Sequence, residues 1–209
     1  MISVCCYSIW ADSSTWNILE NSRNMKEANP RQFLKDIIRS IPDYPKKGII
    51  FRDLSTLFQD EKAFATALDL LEDRLREGNR GIIPFEKIAG IEARGFILAG
   101  GLAARLGGGV VMLRKPGKLP YKKRSVEYTL EYGSDALEIH EDAISPGERI
   151  ILIDDLLATG GTAAAACKLI EEGGGEVVKI LFLVELPDLK GKDKLNAYDT
   201  EAIIGFEGH

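Results

Sequence analysis

Apolar residues recur at helical spacing in two stretches near the start of the chain. Residues 31–41 and 61–77 each place them on one face, which predicts two amphipathic helices. Between these stretches, Pro42 and Pro45 end the first helix and favour an extended path. From residue 88 onward the pattern changes, because short apolar runs alternate with longer helical stretches.

The second half of the chain therefore has a strand-then-helix pattern. Short apolar runs predict strands over residues 88–91, 110–113, 150–153, 177–184 and 202–206. The stretches 95–106 and 161–172 predict helices between them. The run 150–153 is apolar at every position, as expected for a parallel strand covered on both faces. This alternation predicts an α/β fold with a central, mostly parallel sheet flanked by helices.

One segment interrupts that alternation. Residues 126–140 are rich in aromatic and β-branched residues around Gly133, which predicts a β-hairpin or arm. Two runs of three glycines, 107–109 and 173–175, follow predicted helices, and we interpret them as helix ends. The P-loop motif and a GxGxxG after a strand are both absent from the sequence, so any phosphate site must use another motif.

The composition is that of one ordinary globular domain. The chain has 209 residues, of which 45% are hydrophobic and 28% are charged, enough to bury a core. A net charge of −5 argues against a protein that coats nucleic acid or an anionic membrane, so a bound anion needs a local positive site. The three cysteines form neither a CxxC motif nor a Cys/His cluster, which argues against a zinc site or a disulfide framework. We predict a cytoplasmic protein.

The first 24 residues differ from the rest. They hold both tryptophans, are rich in Ser and Asn, and lack the features of a secretory signal. Met25 then begins a stretch that looks like an ordinary protein start. We predict that residues 1–24 are either a mis-called start or a disordered, weakly docked extension, and that residues 25–209 form a single domain.

A stretch of thirteen residues, Ile150 to Thr162, carries the strongest chemical signal. It reads IILIDDLLATGGT: a buried strand, two acids, a loop rich in Thr and Gly, and a helix start. Ligands of open α/β sheets bind beyond the carboxyl ends of the strands, and a glycine-rich helix start offers N–H donors to phosphate. Asp154 and Asp155 would repel phosphate, so we expect them to face ribose hydroxyls. An ordinary turn with an acidic helix cap is the alternative.

This string resembles the phosphoribosyl pyrophosphate motif of type I phosphoribosyltransferases. Further segments resemble the adenine-specific members, in the same order, over about residues 26–200: IPDYP (41–45), FRD (51–53), GIEARGF (90–96), RKPGKLP (114–120), LEYG (130–133) and VELP (184–187). The resemblance implies the type I phosphoribosyltransferase fold, with a small hood and a flexible β-arm. It implies transfer of phosphoribose from phosphoribosyl pyrophosphate (PRPP) to adenine, giving AMP and pyrophosphate in purine salvage. It also implies a homodimer and Mg²⁺ that is carried with PRPP, with no direct protein ligand.

The resemblance assigns most of the substrate contacts. It implies contacts to the 5′-phosphate and ribose for Asp154, Asp155, Ala158, Thr159, Gly160, Gly161 and Thr162. It implies pyrophosphate contacts for Arg94 and Lys118, and it makes Arg114 and Lys115 further candidates, with Arg114 acting across a dimer interface. Taken alone, the six cations of residues 114–124 would indicate only a solvated basic loop. A departing pyrophosphate gives that charge a function.

The adenine site and the catalytic group follow from the same resemblance. Phe51, Arg52 and Leu186 would line the purine pocket, with backbone groups of residues 50–52 reading the edge of the base. Glu131 is the candidate catalytic residue, with its carboxyl at N7 of adenine. We also predict a cis peptide bond near Glu92–Ala93, because such loops in this family aim N–H groups at pyrophosphate.

Three alternatives stay open. Other phosphoribosyltransferases share the Asp-Asp and Thr-Gly-Gly-Thr residues but take orotate, hypoxanthine, guanine or xanthine. A non-catalytic sensor of PRPP is the second, although such proteins usually add a DNA-binding module and the segment before residue 25 is short and not basic. A generic α/β binding protein is the third. Competition between bases would distinguish the first alternative.

Overall fold

The structure is a computed structural model that describes residues 29–76, 81–129 and 134–208. In chain order its α-helices are α1 (Pro30–Ile37), α2 (Ser55–Gln59), α3 (Glu61–Asp73), α4 (Arg94–Leu106) and α5 (Gly161–Glu172). Its strands are β1 (Arg39–Pro42), β2 (Ile50–Asp53), β3 (Lys87–Ile91), β4 (Gly109–Leu113), β5 (Lys123–Thr129), β6 (Ser134–His140), β7 (Arg149–Leu157), β8 (Glu176–Glu185) and β9 (Thr200–Gly205). The prediction for residues 1–24 lies outside the described residues.

A five-stranded sheet of order β4-β3-β7-β8-β9 forms the centre, and every neighbouring pair in it is parallel. The apolar run at the start of β7 serves both faces of this sheet. Ile151 and Ile153 pack with residues of α1, α3 and α4, whereas Ile150 and Leu152 pack with α5 and the β5–β6 hairpin. The predicted α/β fold with a central parallel sheet is therefore confirmed, including the helix over residues 161–172.

Two smaller antiparallel units sit beside the sheet. Strands β5 and β6 form the predicted hairpin, with Val126 opposite Leu137; its centre at Gly133 lies outside the described residues. Strands β1 and β2 pair so that Ile41 lies opposite Phe51, and together with α1 they make up the hood. In the described part of the chain, no helix combines the length and apolar character needed to cross a membrane.

Several predicted boundaries are wrong. The second helix ends at Asp73 and not at residue 77, and the hairpin begins at Lys123 and not at residue 126. The first helix ends at Ile37 and not at residue 41, because the backbone groups of residues 39–42 pair with β2 instead. The strand predicted over 150–153 continues to Leu157, because β8 pairs with it as far as Glu185. Asp154 and Asp155 therefore lie within β7 and do not follow it. The two glycine runs are helix ends as predicted, since Gly107 and Gly173 cap α4 and α5.

Candidate active site

Two adjacent carboxylates stand near the carboxyl end of β7. Asp155 is only 5% exposed, and the Asp154 carboxylate Oδ1 accepts the N–H of Asp155 at 2.9 Å. Burial and repulsion from Asp155 raise the pKa of Asp154 well above its usual range. Burial also raises the pKa of Asp155, against the opposing effect of Arg94. Two acids that resist ionisation therefore lie side by side, where sugar hydroxyls or a developing positive charge would favour their ionised forms.

Arg94, the first residue of α4, connects this pair to the hood. Its Nε lies 2.6 Å from Asp155 Oδ2, and its guanidinium carbon lies 5.8 Å from the centre of the Phe51 ring. The close approach of α4 to β7 requires Gly95, since a Cβ there would lie 2.9 Å from Asp154 Oδ1. The cis peptide bond predicted at Glu92–Ala93, immediately before Arg94, is confirmed.

The loop that follows β7 leads directly into α5. Gly160 has φ +77°, and no side chain among the described residues caps this helix. Added Cβ atoms on Gly160 and Gly191 would overlap the carbonyl oxygens of Gly191 and Ala158 respectively, so the two segments pack backbone to backbone. A cavity of about 180 Å³ is lined by Asp154, residues 156–163 and Phe182. The start of a helix supplies free N–H groups and a partial positive charge to such a cavity.

The residues expected around the base come from two separate parts of the fold. Phe51 lies on β2 in edge-to-face contact with Tyr44, at 5.2 Å between ring centres. Leu186 follows β8, and its N–H donates to the Leu157 carbonyl at 2.9 Å, next to the loop at residues 158–162. Phe51 is therefore connected to the site by its contact with the Arg94 guanidinium, and Leu186 by its hydrogen bond to Leu157.

The Arg52 side chain is engaged elsewhere. Its guanidinium carbon lies 4.5 Å from the centre of the Phe206 ring, and its Nη1 donates to Ser40 Oγ at 2.6 Å. Its Nη2 donates to the Gly208 carbonyl at 3.1 Å. These contacts tie the hood to the last described residues, so any contact between Arg52 and a base falls to its backbone.

The basic loop begins at Arg114 and is held by Glu92. The Glu92 carboxylate accepts the Lys115 N–H at 2.9 Å and Arg114 Nη2 at 3.1 Å. Burial would raise the pKa of Glu92, but the Lys115 N–H and the Arg114 guanidinium bring it below its usual range. Arg114 Nη1 also donates to the Lys118 carbonyl at 3.1 Å. The Arg114 guanidinium is thus bound within its own chain.

Lys115 points to the hairpin. Its Nζ donates to Tyr128 Oη at 2.7 Å and pairs with the carboxylate of Asp135. Tyr128 and Asp135 face each other across β5 and β6, so Lys115 links both strands of the arm. Lys118 is exposed. Glu131, the predicted catalytic residue, lies outside the described residues.

Comparisons with known proteins agree with the family resemblance of the sequence. A family model described as a phosphoribosyl transferase domain matches residues 54–208. An adenine phosphoribosyltransferase of Bradyrhizobium sp. (strain BTAi1) is 52% identical over 178 residues, covering 84% of this chain and 97% of that protein. The chain belongs to the adenine phosphoribosyltransferase family.

Solved adenine phosphoribosyltransferases share the fold. The enzyme of Thermoanaerobacter pseudethanolicus is 50% identical, with a TM-score of 0.79 over 84% of this chain and 99% of that one. The enzyme of Saccharomyces cerevisiae is 37% identical, with a TM-score of 0.79 over 84% of this chain and 98% of that one. That crystal holds adenine and an imino-altritol bisphosphate. The fold is thus the type I phosphoribosyltransferase fold.

Within this adenine phosphoribosyltransferase fold, the predicted residues separate into two groups. One group surrounds the end of β7: Phe51, Arg94, Asp154, Asp155, residues 158–162 and Leu186. The other group is the basic loop, whose Arg114 and Lys115 contact Glu92 and the hairpin. Sequence reasoning gave no role to the carboxylates of Glu92, Asp135 and Glu138, or to Gly191. The signal available for the carboxylates was the cluster of six cations, which needs nearby acceptors.

Proposed function

We propose that this chain transfers the phosphoribosyl group of PRPP to adenine, yielding AMP and pyrophosphate, a step of purine salvage in the cytoplasm. One observation carries the proposal: Asp154 and an uncapped glycine helix start line one small cavity, and the adjacent carboxylate of Asp155 is paired with Arg94. A phosphate needs hydrogen-bond donors around it, whereas the ribose hydroxyls need hydrogen-bond acceptors. The site offers both within one continuous segment.

The loop at residues 158–162 and the two acids bind different parts of the phosphoribosyl group. The 5′-phosphate accepts hydrogen bonds from backbone N–H groups of residues 158–162 and from the hydroxyls of Thr159 and Thr162. Asp154 and Asp155 accept the ribose hydroxyls. As the bond from C1 to pyrophosphate lengthens, positive charge grows on the sugar, and the two carboxylates stabilise it.

The leaving pyrophosphate needs positive charge. Arg94 at the start of α4 and Lys118 in the basic loop supply that charge. Arg114 and Lys115 of the basic loop add to it. Mg²⁺ enters with PRPP as part of the substrate, where it offsets the phosphate charges. Among residues 29–76, 81–129 and 134–208, no three His, Cys, Asp or Glu side chains come together as metal ligands.

Adenine binds between Phe51 and Leu186, and backbone groups of residues 50–52 read its edge. Its N9 forms the new bond to C1 while the bond to pyrophosphate breaks. Adenine carries its proton on N7 in this step, and the Glu131 carboxylate accepts that proton as positive charge develops on the purine. The Saccharomyces cerevisiae relative was crystallised with adenine and a bisphosphate together, which supports a site with room for both.

A homodimer is part of the proposal. Val110 and Met112 of the edge strand β4 align with Ile88 and Gly90 of β3, so they lie on the face of the sheet that α4 covers. Both are exposed, as is Ile97 on α4. Large exposed apolar side chains on one face favour burial against a second copy of the chain.

The function is tested by AMP formation from adenine, PRPP and Mg²⁺, with hypoxanthine and guanine assayed in parallel. Adenine should be the preferred base by at least roughly 10³-fold in kcat/KM, because a 6-oxo group leaves the groups that read the 6-amino edge unpaired. Glu131→Ala should lower kcat for adenine by roughly 10²–10⁴-fold. Turnover of a 6-oxopurine instead would overturn the adenine assignment. Tight binding of PRPP without turnover of any base would favour the sensor alternative.

Separate variants distinguish the two residues of the hood. Arg52→Ala should destabilise the fold by about 1–3 kcal/mol, because it removes the contacts to Phe206, Ser40 and Gly208, yet it should change KM for adenine by less than about threefold. Phe51→Ala should raise KM for adenine by roughly tenfold or more. Thermal melts and steady-state kinetics provide the measurements. A larger adenine KM for Arg52→Ala than for Phe51→Ala would contradict this division.

A further inference from the structure

Glu138 is a buried carboxylate that the proposed mechanism does not use. It lies on β6 between the core residues Leu137 and Ile139 and is only 6% exposed. Its backbone N–H donates to the Arg114 carbonyl at 2.7 Å, and its own carbonyl accepts the Arg114 N–H at 2.9 Å. The hairpin is therefore joined to the first residue of the basic loop through this one position.

The Glu138 side chain reaches two further points of the same loop. Its Oε2 accepts the Gly117 N–H at 3.1 Å and the Lys123 Nζ at 2.8 Å. Gly117 turns the chain with φ +78°, and the exposed Lys118 follows it directly. Glu138 thus contacts the start, the turn and the end of the loop.

The positive charge of the basic loop explains why a carboxylate is favourable at position 138. The loop gathers six cations in residues 114–124, and like charges at this spacing repel one another. A carboxylate buried beneath the loop offsets that repulsion, and hydrogen bonds to an ionised group are shorter and stronger than neutral ones. Loss of the acceptor would leave the Gly117 N–H and the Lys123 ammonium without their partner.

We propose that Glu138 is a positioning residue for pyrophosphate, which holds the turn at Gly117 so that Lys118 faces the leaving group. The inference rests on the proposed function. Glu138 itself touches no substrate in this proposal; it acts through the backbone of the loop. Its effect should therefore appear in the binding of PRPP and pyrophosphate and not in the binding of adenine.

Glu148 provides a matched control. Its Oε2 accepts the Ser145 N–H at 2.8 Å and the Lys87 Nζ at 2.6 Å. Glu138 likewise accepts one backbone N–H and one lysine ammonium. Glu148 lies just before β7 begins, at the opposite end of the sheet from Asp154. Replacing either Glu by Gln therefore removes one ion pair and weakens one backbone contact, but only Glu138 contacts the basic loop.

The test compares Glu138→Gln, Glu138→Ala and Glu148→Gln in the full chain. We expect KM for PRPP and the inhibition constant of Mg-pyrophosphate to rise roughly tenfold in Glu138→Gln and further in Glu138→Ala. KM for adenine should stay within about twofold of wild type, and Glu148→Gln should leave all three constants within about twofold. Unchanged constants for PRPP and pyrophosphate in folded Glu138→Ala, or equal changes in Glu148→Gln, would overturn the proposal.

Failure of the proposed function would look different. If the wild-type chain forms no AMP, calorimetric titration with Mg-PRPP replaces the kinetic constants. A weaker Kd in Glu138→Gln than in wild type would then still support the positioning role. Equal Kd values would remove it.

Discussion

Replacing Asp154 with Asn should lower kcat for AMP formation by roughly 10²–10³-fold and should stabilise the fold. The loss of activity follows because Asn cannot ionise and so cannot offset the positive charge that develops on the sugar. The gain in stability follows because burial and repulsion from Asp155 make the ionised Asp154 carboxylate unfavourable in the folded chain. Asn keeps an oxygen for the Asp155 N–H. A gain of about 1 kcal/mol would raise Tm by roughly 2–4 °C at this chain length.

The pH dependence of that gain follows from the raised pKa of Asp154. Between the ordinary pKa of Asp and the raised folded value, the folded chain binds more protons than the unfolded chain, so the free energy of unfolding falls as pH rises. The Tm difference between Asp154→Asn and wild type should therefore be larger at pH 7 than at about pH 4, near the usual pKa of Asp. Calorimetric melts at the two pH values provide the measurement.

Asp155→Asn is the matched control. Its carboxylate pairs with Arg94 at 2.6 Å, so its removal leaves the guanidinium without that partner. We expect a similar loss of activity but no gain in Tm. Normal turnover in Asp154→Asn, or a lower Tm than wild type at pH 7, would contradict this account of the pair.

Gly160→Ala should nearly abolish activity and destabilise the fold by about 2–5 kcal/mol. Two effects add: alanine is disfavoured at φ +77°, and its Cβ would overlap the Gly191 carbonyl, so the loop at residues 158–162 must move away from its neighbour. Because the 5′-phosphate is expected to bind this same loop, KM for PRPP should rise together with the loss of stability. Thermal melts and steady-state kinetics measure both effects.

Gly147→Ala separates the two effects. Gly147 has φ +82°, but no atom of the described residues outside its immediate neighbours lies within 4 Å of an added Cβ. This variant should lose only about 1–2 kcal/mol and keep its activity. Equal stability losses in the two variants would show that the overlap with Gly191 contributes nothing.

The sheet could be predicted because its signal is local. Every residue of Ile150–Ile153 is apolar, and each contacts one of the two cores, so the pattern reads directly as a strand covered on both faces. The end of β7 could not be predicted in the same way. Asp154 and Leu156 keep their pairing to Phe182 and Val184 of β8, and that partner is distant in sequence.

The boundary of the first helix failed for a related reason. The apolar residues Ile38 and Ile41 fit the helical spacing of the residues before them. Ile38 is nevertheless extended at ψ 118°, and Ile41 belongs to a strand paired with Phe51. Tertiary pairing overrode a local pattern that was consistent with both structures.

The residues of the site also differ in whether their contacts are local or distant in sequence. Asp154 to Thr162 form one continuous segment, so its chemistry could be read from the residues themselves. The contacts of Arg94 with Asp155 and Phe51 join three distant segments, and only the family resemblance pointed to Arg94 and Phe51. The role of Glu138 was missed because its partners Gly117 and Lys123 lie 21 and 15 residues away along the chain.

A crystal structure of the chain with AMP and Mg-pyrophosphate would test the site most directly. We expect the 5′-phosphate on the N–H groups of residues 158–162, the ribose hydroxyls on Asp154 and Asp155, and the purine between Phe51 and Leu186. Pyrophosphate should lie beside Arg94 and Lys118. AMP bound away from the carboxyl end of β7, or bound there with its base away from Phe51, would contradict the proposed site.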